Sequence, residues 1–545
     1  MQKKKSFLYG AFVLSASNLL IKIIGAVFRI PLTNLVGVAA MGYFSSAYSI
    51  YNVLLSLATA GLPTGIAVMV SRSIATEKYK DVKRIMRISA AAFVSFGAVL
   101  SVLGMVFARQ IAVFMNSEDA YYAMFWLMPA VFFISVVSLF KGFFQGFGNM
   151  NTTAMSNLIE ATMKLTAGYS IAYLLSKQGY EPPIVVGGAI AGIMISTFCA
   201  MTYSSLRYVF RGKDYRFTKE QLAKSGETPT GPLAKAFFSI ALPVMLSSIS
   251  ANLMSAIDSF SVVNCLKMYM SDMEEINFLW GSYSNLALTI FNLPLIFITS
   301  IGVALIPEIS ALFVKNNKKA LKNSLERSLK TSALVAFACA AGILATSTEL
   351  LSLLYSNKEA IAIASVILKI LSFVIVCVGY TTVLNSILNA IKKATSSVVA
   401  IFIGSAIKSI FTVIFVSIPQ LGIYGAPLAT CVAYPVMLAI GFFFVKKHTQ
   451  VKLSIKEIFL KPLLAGGCCY AASKLINIAL YHFFPRRITV IFTVLLTVVA
   501  FLGIIVALKI ISIDEIKSIL KKSGKKAEKE TSDELPVSDD IAGKA

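Results

Sequence analysis

The chain has 545 residues, of which 57% are hydrophobic and only 14% are charged. Soluble globular proteins carry roughly 25% charged residues, so this composition excludes an ordinary soluble domain and predicts a membrane protein. The net charge of +24 does not indicate a nucleic-acid partner. Its basic residues collect in short loops between apolar segments, as they do in the cytoplasmic loops of membrane proteins.

Hydropathy predicts about 14 transmembrane helices, since each apolar run reaches the roughly 20 residues that span the hydrocarbon core. In chain order the predicted helices cover residues 7–33, 42–71, 88–114, 121–147, 151–175, 184–209, 235–264, 281–313, 328–355, 360–390, 395–418, 424–445, 459–482 and 488–511. The first is a membrane helix rather than a cleaved signal, because it is long and contains charged residues. The tail from about residue 515 is rich in lysine, glutamate and serine, which predicts a disordered cytoplasmic extension.

Positive charge alternates between successive loops. Residues 72–87 and 211–224 are rich in lysine and arginine, whereas residues 34–41 contain neither. Because positively charged loops stay on the cytoplasmic side, this pattern predicts a multi-pass protein of a bacterial cytoplasmic membrane with both termini in the cytoplasm. Arg486 and Arg487, before the last helix, are the one exception.

The two halves of the chain resemble each other at an offset of 240 residues, which aligns Tyr43 with Tyr283 and Asn149 with Asn389. Because this offset spans six helices, it predicts parallel repeats around an axis along the membrane normal. The expected fold class is therefore an all-α polytopic membrane protein with two six-helix lobes around a central cavity and two extra C-terminal helices. A duplication retained only for packing is the alternative. The predicted units are an N-lobe (1–210), a basic linker (211–234), a C-lobe (235–445), the last two helices (446–512) and the tail (513–545).

Residues that could perform covalent chemistry are sparse. The seven cysteines lie mostly in apolar runs, where they behave as small hydrophobic residues, and the two histidines form no cluster with them. No GxxxxGK[ST] motif for ATP occurs, and no paired carboxylates suggest hydrolysis. We therefore expect no metal, no disulfide framework, no cofactor and no enzymatic activity. A transporter driven by a coupling cation or by the membrane potential remains.

Charged residues inside the predicted helices are the candidate site residues, because each costs about 2.5–3.5 kcal/mol in the hydrocarbon unless it faces a cavity or a partner. The candidate substrate-binding cations are Lys22, Arg29, Lys164, Lys369 and Lys408, and the candidate coupling or charge partners are Glu160 and Asp258. The excess of cations predicts a cavity for an anionic head group such as a diphosphate.

Simpler interpretations exist for three of these cations. Arg29 would extend to the membrane interface, Glu160 would neutralise Lys164 one helical turn away, and Lys369 would pack against another helix. Separately, glycine and proline within helices permit bending. The candidate hinge residues are Gly61, Pro63 and Pro307.

Several segments resemble the multidrug/oligosaccharidyl-lipid/polysaccharide (MOP) exporter superfamily, in the branch of stage V sporulation protein B and MurJ-type lipid II flippases. They are SNLLIKIIGAVFRIPLTNLVG, GYFSSAYSIYNVLLSLATAGLPTGIAVMVSR, QGFGNMNTTA and FNLPLIFITSIGVALIPEIS. The resemblance implies alternating-access export of undecaprenyl-diphosphate-linked peptidoglycan precursor (lipid II) from the inner to the outer leaflet. It also implies that Lys22 and Arg29 stand close to the cations that hold the diphosphate. The sequence departs from the family pattern at Ser284 and Asn285, which replace a charged pair.

Other functions remain open from the sequence. Export of another undecaprenyl-linked polysaccharide unit is the main alternative, since both substrates present a diphosphate and an isoprenoid tail, and both vegetative and sporulation roles are compatible with it. A drug/cation antiporter would bind its cations through carboxylates, whereas the balance of charge here is positive. A membrane glycosyltransferase would need an essential acid, for which Asp258 is the one weak candidate.

Overall fold

The computed structural model describes residues 7–507 apart from residues 60, 212–214, 216, 455 and 482–485. These residues form α-helices joined by short turns, and no β-strand occurs among them. The predicted tail lies outside the described residues. The helices are α1 (Phe7–Val36), α2 (Val38–Thr59), α3 (Leu62–Ala75), α4 (Tyr79–Ser89), α5 (Ser95–Val106), α6 (Ala108–Phe114), α7 (Tyr121–Gly146), α8 (Met150–Lys177), α9 (Pro182–Arg211), α10 (Lys219–Lys224), α11 (Thr230–Lys267), α12 (Met273–Gly281), α13 (Leu288–Val314), α14 (Lys318–Leu354), α15 (Lys358–Ala390), α16 (Ala394–Val416), α17 (Gly425–Thr449), α18 (Lys461–Tyr481) and α19 (Arg486–Ala507).

The described residues of the 14 predicted transmembrane segments are mostly helical, but several segments are interrupted, and the ninth, in α14, is kinked at Thr346. The second predicted helix divides into α2 and α3 beside Gly61. The third passes from α4 to α5 through a π-helical turn at Ala90–Val94, and the eighth passes from α12 to α13 through a π-helical turn at Ser282–Ala287. Such turns insert an extra residue into the helical hydrogen-bond ladder and often occur at functional sites.

Twelve of the described helical segments are long and apolar enough to cross a membrane. Two further helices, α8 and α11, have 28 and 38 residues but are more polar. α8 contains Glu160 and Lys164, and α11 contains Asp258 together with several serines. Polar groups at membrane depth usually face other helices or a cavity rather than lipid, so these two helices are expected to line the interior.

Helix packing is densest within each half of the chain. α8 packs on α1 and α9, while α7 packs on α2, α3, α5 and α9. In the other half α15 packs on α13, α14 and α17, and α16 packs on α17. α11 joins the halves, because it packs on α16 as well as on α2 and α3. The exact unit boundaries stay predictions.

A close contact between α2 and α12 brings the halves together at one end of the molecule. A Cβ atom on Gly42 would lie 2.5 Å from the backbone oxygen of Asn277, and a Cβ atom on Gly281 would overlap the backbone of Val38. Only glycine permits this approach. The relation is reciprocal, since a glycine of each helix faces the backbone of the other, as in contacts across a twofold axis.

Asparagine side chains hold the same end of the molecule. The Asn34 amide, at the end of α1, donates to the backbone oxygen of Leu354 at 2.8 Å. The Asn116 amide, after α6, donates to the side-chain oxygen of Asn264 on α11 at 2.5 Å. Each bond links the first helix of one half to the other half. In this structure the halves are therefore in contact on the side that the charge pattern predicts to be external.

Candidate substrate-binding site

Three residues from three helices form a cationic cluster: Arg29 of α1, Tyr48 of α2 and Lys164 of α8. The Arg29 guanidinium carbon lies 5.6 Å from the centre of the Tyr48 ring, and the Lys164 nitrogen lies 4.9 Å from it. The Lys164 ammonium also donates to the Tyr48 hydroxyl at 3.4 Å. Tyr48 therefore holds two cations near one point, since a cation is attracted to the face of an aromatic ring.

Two further aromatic rings lie beside the cations of the cationic cluster. Lys164 lies 5.4 Å from the Phe28 ring and Arg29 lies 5.8 Å from the Phe44 ring. Both cations are half-buried, and in the described part of the chain neither forms an ion pair with a carboxylate. The cluster thus presents two positive charges with donors free to bind an anion, which is the arrangement that recognises phosphate.

The structure does not pair Glu160 with Lys164, although the two are one helical turn apart. The Glu160 carboxylate instead lies 3.9 Å from the Lys141 ammonium of α7, and the two side chains are 29% and 13% exposed. The reason is helix packing, because Lys141 projects from α7 toward α8 and offers the carboxylate a buried cation. The Lys164 ammonium is therefore not neutralised by Glu160 and remains available to bind another group.

Lys408 lies in the second half and is neutralised there. Its ammonium forms an ion pair with Asp258 of α11, and the two residues are 9% and 8% exposed. Tyr283 and Tyr434 lie within electrostatic range of this pair. Of the two predicted substrate-binding lysines on α8 and α16, the structure therefore leaves only Lys164 without an acidic partner.

The remaining candidate cations lie apart from the cationic cluster. Lys22 is exposed on α1, seven residues before Arg29, and Lys369 is exposed on α15. The structure does not bring either lysine to Tyr48. Because Lys22 shares the helix of Arg29, it extends the positive charge along α1, whereas Lys369 belongs to the other half. Among the described residues, no group of three histidine, cysteine or acidic side chains could hold a metal ion.

The predicted hinge residues lie at two different kinds of position. Gly61 stands at the break between α2 and α3, and Pro63 lies in the first turn of α3. A Cβ atom on Gly61 would overlap the backbone of Ala241 on α11, so the glycine is required by close helix packing. α13 continues through Pro307 without a break. Their role as hinges stays a prediction.

Sequence reasoning missed Tyr48 and the neutral contacts of the π-helical turn before α13. The Asn285 amide donates to Ser45 on α2 at 2.8 Å, and Ser284 donates to the same hydroxyl at 3.0 Å. The sequence did contain a pattern that points to this site, because α2 has aromatic residues at helical spacing: Phe44, Tyr48 and Tyr51. A single sequence does not show that Tyr48 faces two cations, because they come from α1 and α8.

The helical arrangement is the one seen in MurJ. The structure matches the solved structure "Lipid II flippase MurJ, inward closed conformation" with a TM-score of 0.67 at 16% identity, covering 90% of this chain and 98% of that chain. The predicted fold class, an all-α polytopic membrane protein, is confirmed by this likeness of fold.

The chain belongs to the polysaccharide biosynthesis protein family, whose model matches residues 7–313. A second family model, lipid II flippase MurJ, matches residues 280–499. Two relatives from Bacillus subtilis (strain 168) are similar over most of their length. Stage V sporulation protein B is 23% identical over 477 residues, which cover 86% of this chain and 89% of that protein. Lipid II flippase MurJ is 24% identical over 483 residues, which cover 84% of this chain and 86% of that protein. The predicted family, and the prediction of a transporter rather than an enzyme, are confirmed.

Proposed function

We propose that this protein is a flippase that moves an undecaprenyl-diphosphate-linked glycan from the inner to the outer leaflet by alternating access. The observation that carries the proposal is the cationic cluster of Arg29, Tyr48 and Lys164, which lacks an acidic partner in the described part of the chain. A diphosphate offers two anionic groups, and arginine and lysine together would bind both. Lys22, two turns earlier on α1, would attract the head group along the same helix.

The pairing of the acids argues against a drug/cation antiporter. Such a transporter needs a carboxylate free to bind its cationic substrate. The two candidate coupling acids, Glu160 and Asp258, instead face Lys141 and Lys408. The charge that remains accessible is positive, which favours an anionic substrate.

Uneven packing between the halves supports a lipid substrate. α11 packs along α2 and α3, with the Asn252 amide donating to Ser56 at 2.6 Å. α1, the repeat counterpart of α11, makes only limited contact with α13. We propose that the isoprenoid tail passes between α1 and α13 and stays in the bilayer while the head group crosses.

Lipid II is the substrate that we propose first, because two B. subtilis relatives and one family model belong to this branch. The test is the leaflet distribution of lipid II in cells depleted of their resident flippase and supplied with this gene. We expect lipid II to reach the outer leaflet and growth to recover. Accumulation of lipid II in the inner leaflet, while this protein is abundant in the membrane, would contradict lipid II and direct the search to other diphosphate-linked glycans.

Alanine substitutions of Arg29 and Lys164 in the cationic cluster, and of Lys22 on the same helix as Arg29, test the proposed binding residues. A charge-assisted hydrogen bond contributes about 1.5–3 kcal/mol, so Arg29→Ala, Lys164→Ala and Lys22→Ala are each expected to lower transport about tenfold or more without lowering membrane abundance. Lys177→Ala is the matched control, because Lys177 is exposed in the last turn of the same helix as Lys164. Normal transport by the three variants would remove these residues from the site.

A further inference from the structure

A second polar region lies inside the second half, between α11, α15, α16 and α17. It is a cavity of about 230 Å³ whose walls include Met254, Thr381, Thr382, Asn385, Ser405 and Tyr434. Hydroxyl and amide groups therefore meet one aromatic ring there, and none of these side chains is ionised at neutral pH. This chemistry differs from that of the cationic cluster in the first half.

The repeat shows how the second half differs from the first half at this place. Glu160 and Gly404 are each the eleventh residue of their helices, α8 and α16. Lys141 aligns with Thr381 at the offset of 240 residues. The first half thus places a lysine–glutamate ion pair where the second half has a threonine and a glycine. Thr381 lines the cavity, whereas Met437 fills the space beside Gly404, where an added Cβ atom would overlap it. The cavity wall at Thr381 is therefore polar but uncharged.

Two buried polar atoms at or near the cavity lack hydrogen-bond partners in the described part of the chain: Ser405 Oγ and Asp258 Oδ1. Ser405 lines the cavity. Asp258 is one helical turn from Met254, and its other oxygen is paired with Lys408. Buried polar atoms are almost always satisfied in native proteins. A serine hydroxyl both donates and accepts hydrogen bonds, so a ligand hydroxyl in the cavity would satisfy Ser405.

We propose that this cavity, which we call the saccharide cavity, binds one neutral saccharide unit of the lipid-linked substrate. A sugar ring supplies hydroxyl donors and acceptors to Thr382, Asn385 and Ser405, and its face packs against the ring of Tyr434. An anion would gain little here, because Asp258 already neutralises Lys408. The volume is below the roughly 300–1,000 Å³ of pockets for drug-sized ligands, so the cavity accommodates one ring and not a whole head group.

This inference rests on the proposed function, because the diphosphate would bind the cationic cluster in the first half while the attached sugar binds in the second. One substrate molecule would then contact both halves at once. A lipid that carries the diphosphate without the sugar would contact the first half alone. The two binding contributions are therefore separable by the choice of lipid.

The test compares the affinity of the purified full chain for lipid II and for undecaprenyl diphosphate, measured by native mass spectrometry. The variant is Asn385→Leu, which removes the amide and keeps the same branched arrangement of heavy atoms. Its matched control is Gln145→Leu, at the equivalent position of the first half under the 240-residue offset. We expect Asn385→Leu to weaken lipid II binding about tenfold, the loss of one or two hydrogen bonds, and to leave binding of undecaprenyl diphosphate unchanged. We expect Gln145→Leu to change neither.

Equal weakening of both lipids, or no weakening of either, would overturn the saccharide cavity. If Asn385→Leu does not fold, Ser405→Ala removes one hydroxyl without adding bulk, and the same difference between the two lipids is expected from it. Failure of the parent protein to bind undecaprenyl diphosphate would instead contradict the proposed function. The two failures are therefore distinguishable.

Discussion

Lys164 and Lys408 hold equivalent positions in the two halves, and yet their charges are used differently. Each is the fifteenth residue of its helix, and each faces the first helix of its own half. The first helix of the first half, α1, places the ring of Phe28 beside Lys164. The first helix of the second half, α11, places the carboxylate of Asp258 beside Lys408. An aromatic ring attracts a cation without cancelling its charge. The first half therefore keeps an accessible positive charge and the second half does not.

Breaking the Asp258–Lys408 pair is expected to destabilise the protein. Removal of one partner leaves an uncompensated buried charge, which costs about 3–5 kcal/mol. We therefore expect Asp258→Asn and Lys408→Met to lower the thermal unfolding midpoint of the purified protein strongly, and the double variant to recover most of the loss. The measurement is thermal unfolding in lipid nanodiscs.

Glu457→Gln is the control for that prediction. It removes the ion pairs of Glu457, which is 42% exposed, with Lys461 and Lys330, which are 42% and 22% exposed, and exposed pairs contribute little to stability. Its midpoint should stay near that of the parent. Single variants of the buried pair that unfold at the parent temperature would contradict the prediction.

The contact between helices α2 and α12 depends on residue size. Gly42 and Gly281 allow the two backbones to touch, and the π-helical turn that follows α12 directs Asn285 and Ser284 toward Ser45. In the family pattern two charged residues occupy the places of Ser284 and Asn285. Neutral hydrogen bonds from Asn285 and Ser284 hold the halves together here, so closure of this end desolvates no charge at these two positions.

Gly42→Ala is expected to separate α2 from α12. The added Cβ atom would lie 2.5 Å from the backbone oxygen of Asn277, and a backbone atom does not move aside as a flexible side chain does. Labelling of a cysteine introduced at the buried Ser45, in a background without other cysteines, should become faster with a membrane-impermeant thiol reagent. Transport should fall, because alternating access requires this end to close.

Gly342→Ala serves as the matched control, since a Cβ atom on this helical glycine of α14 would meet nothing within 4 Å. We expect its labelling rate and transport to equal those of the parent. An unchanged labelling rate in Gly42→Ala would show that the α2–α12 contact does not close this end.

For the protein as a whole, the distribution of acids bears on how transport is driven. Sodium binds carboxylate and other oxygen ligands, as hard cations do. The two candidate coupling acids, Glu160 and Asp258, are each paired with a lysine, and no cluster of metal-binding side chains occurs among the described residues. A tethered ammonium thus already balances the charge of each of these two carboxylates.

We therefore expect transport to be independent of sodium. In proteoliposomes with a fixed membrane potential, replacement of sodium by choline should leave the initial rate of lipid II movement unchanged. The Arg29→Ala variant, whose transport is expected to be low, gives the lowest initial rate for comparison in the same assay. A rate that rises and saturates with sodium would contradict this prediction and would indicate that one of the two ion pairs opens during transport.

Much of the fold followed from the order of residues alone, because hydropathy acts locally. A long run of apolar residues favours the membrane wherever the rest of the chain is, and the described residues of all 14 predicted segments are mostly helical. The repeat was also visible, since an offset of 240 residues needs no coordinates. The same local reasoning did not detect the π-helical turn at Ser282–Ala287 or the early start of α12, because those depend on contact with α2.

The sequence predicted which charged residues need partners, but it did not predict which residues pair with each other. Hydropathy identified Arg29, Lys164, Glu160, Asp258 and Lys408 as charges that need partners, because burial of a charge is costly wherever it occurs. The identity of each partner depends on which helices touch. Pairing of Glu160 with Lys164 on its own helix was the simpler alternative from the sequence, but α7 brings Lys141 to Glu160 instead. Tyr48 joins the site only because α1, α2 and α8 meet there. The amino-acid sequence thus specified the helices and the sign of the charge, whereas helix packing decided which charges cancel and which stay available to a substrate.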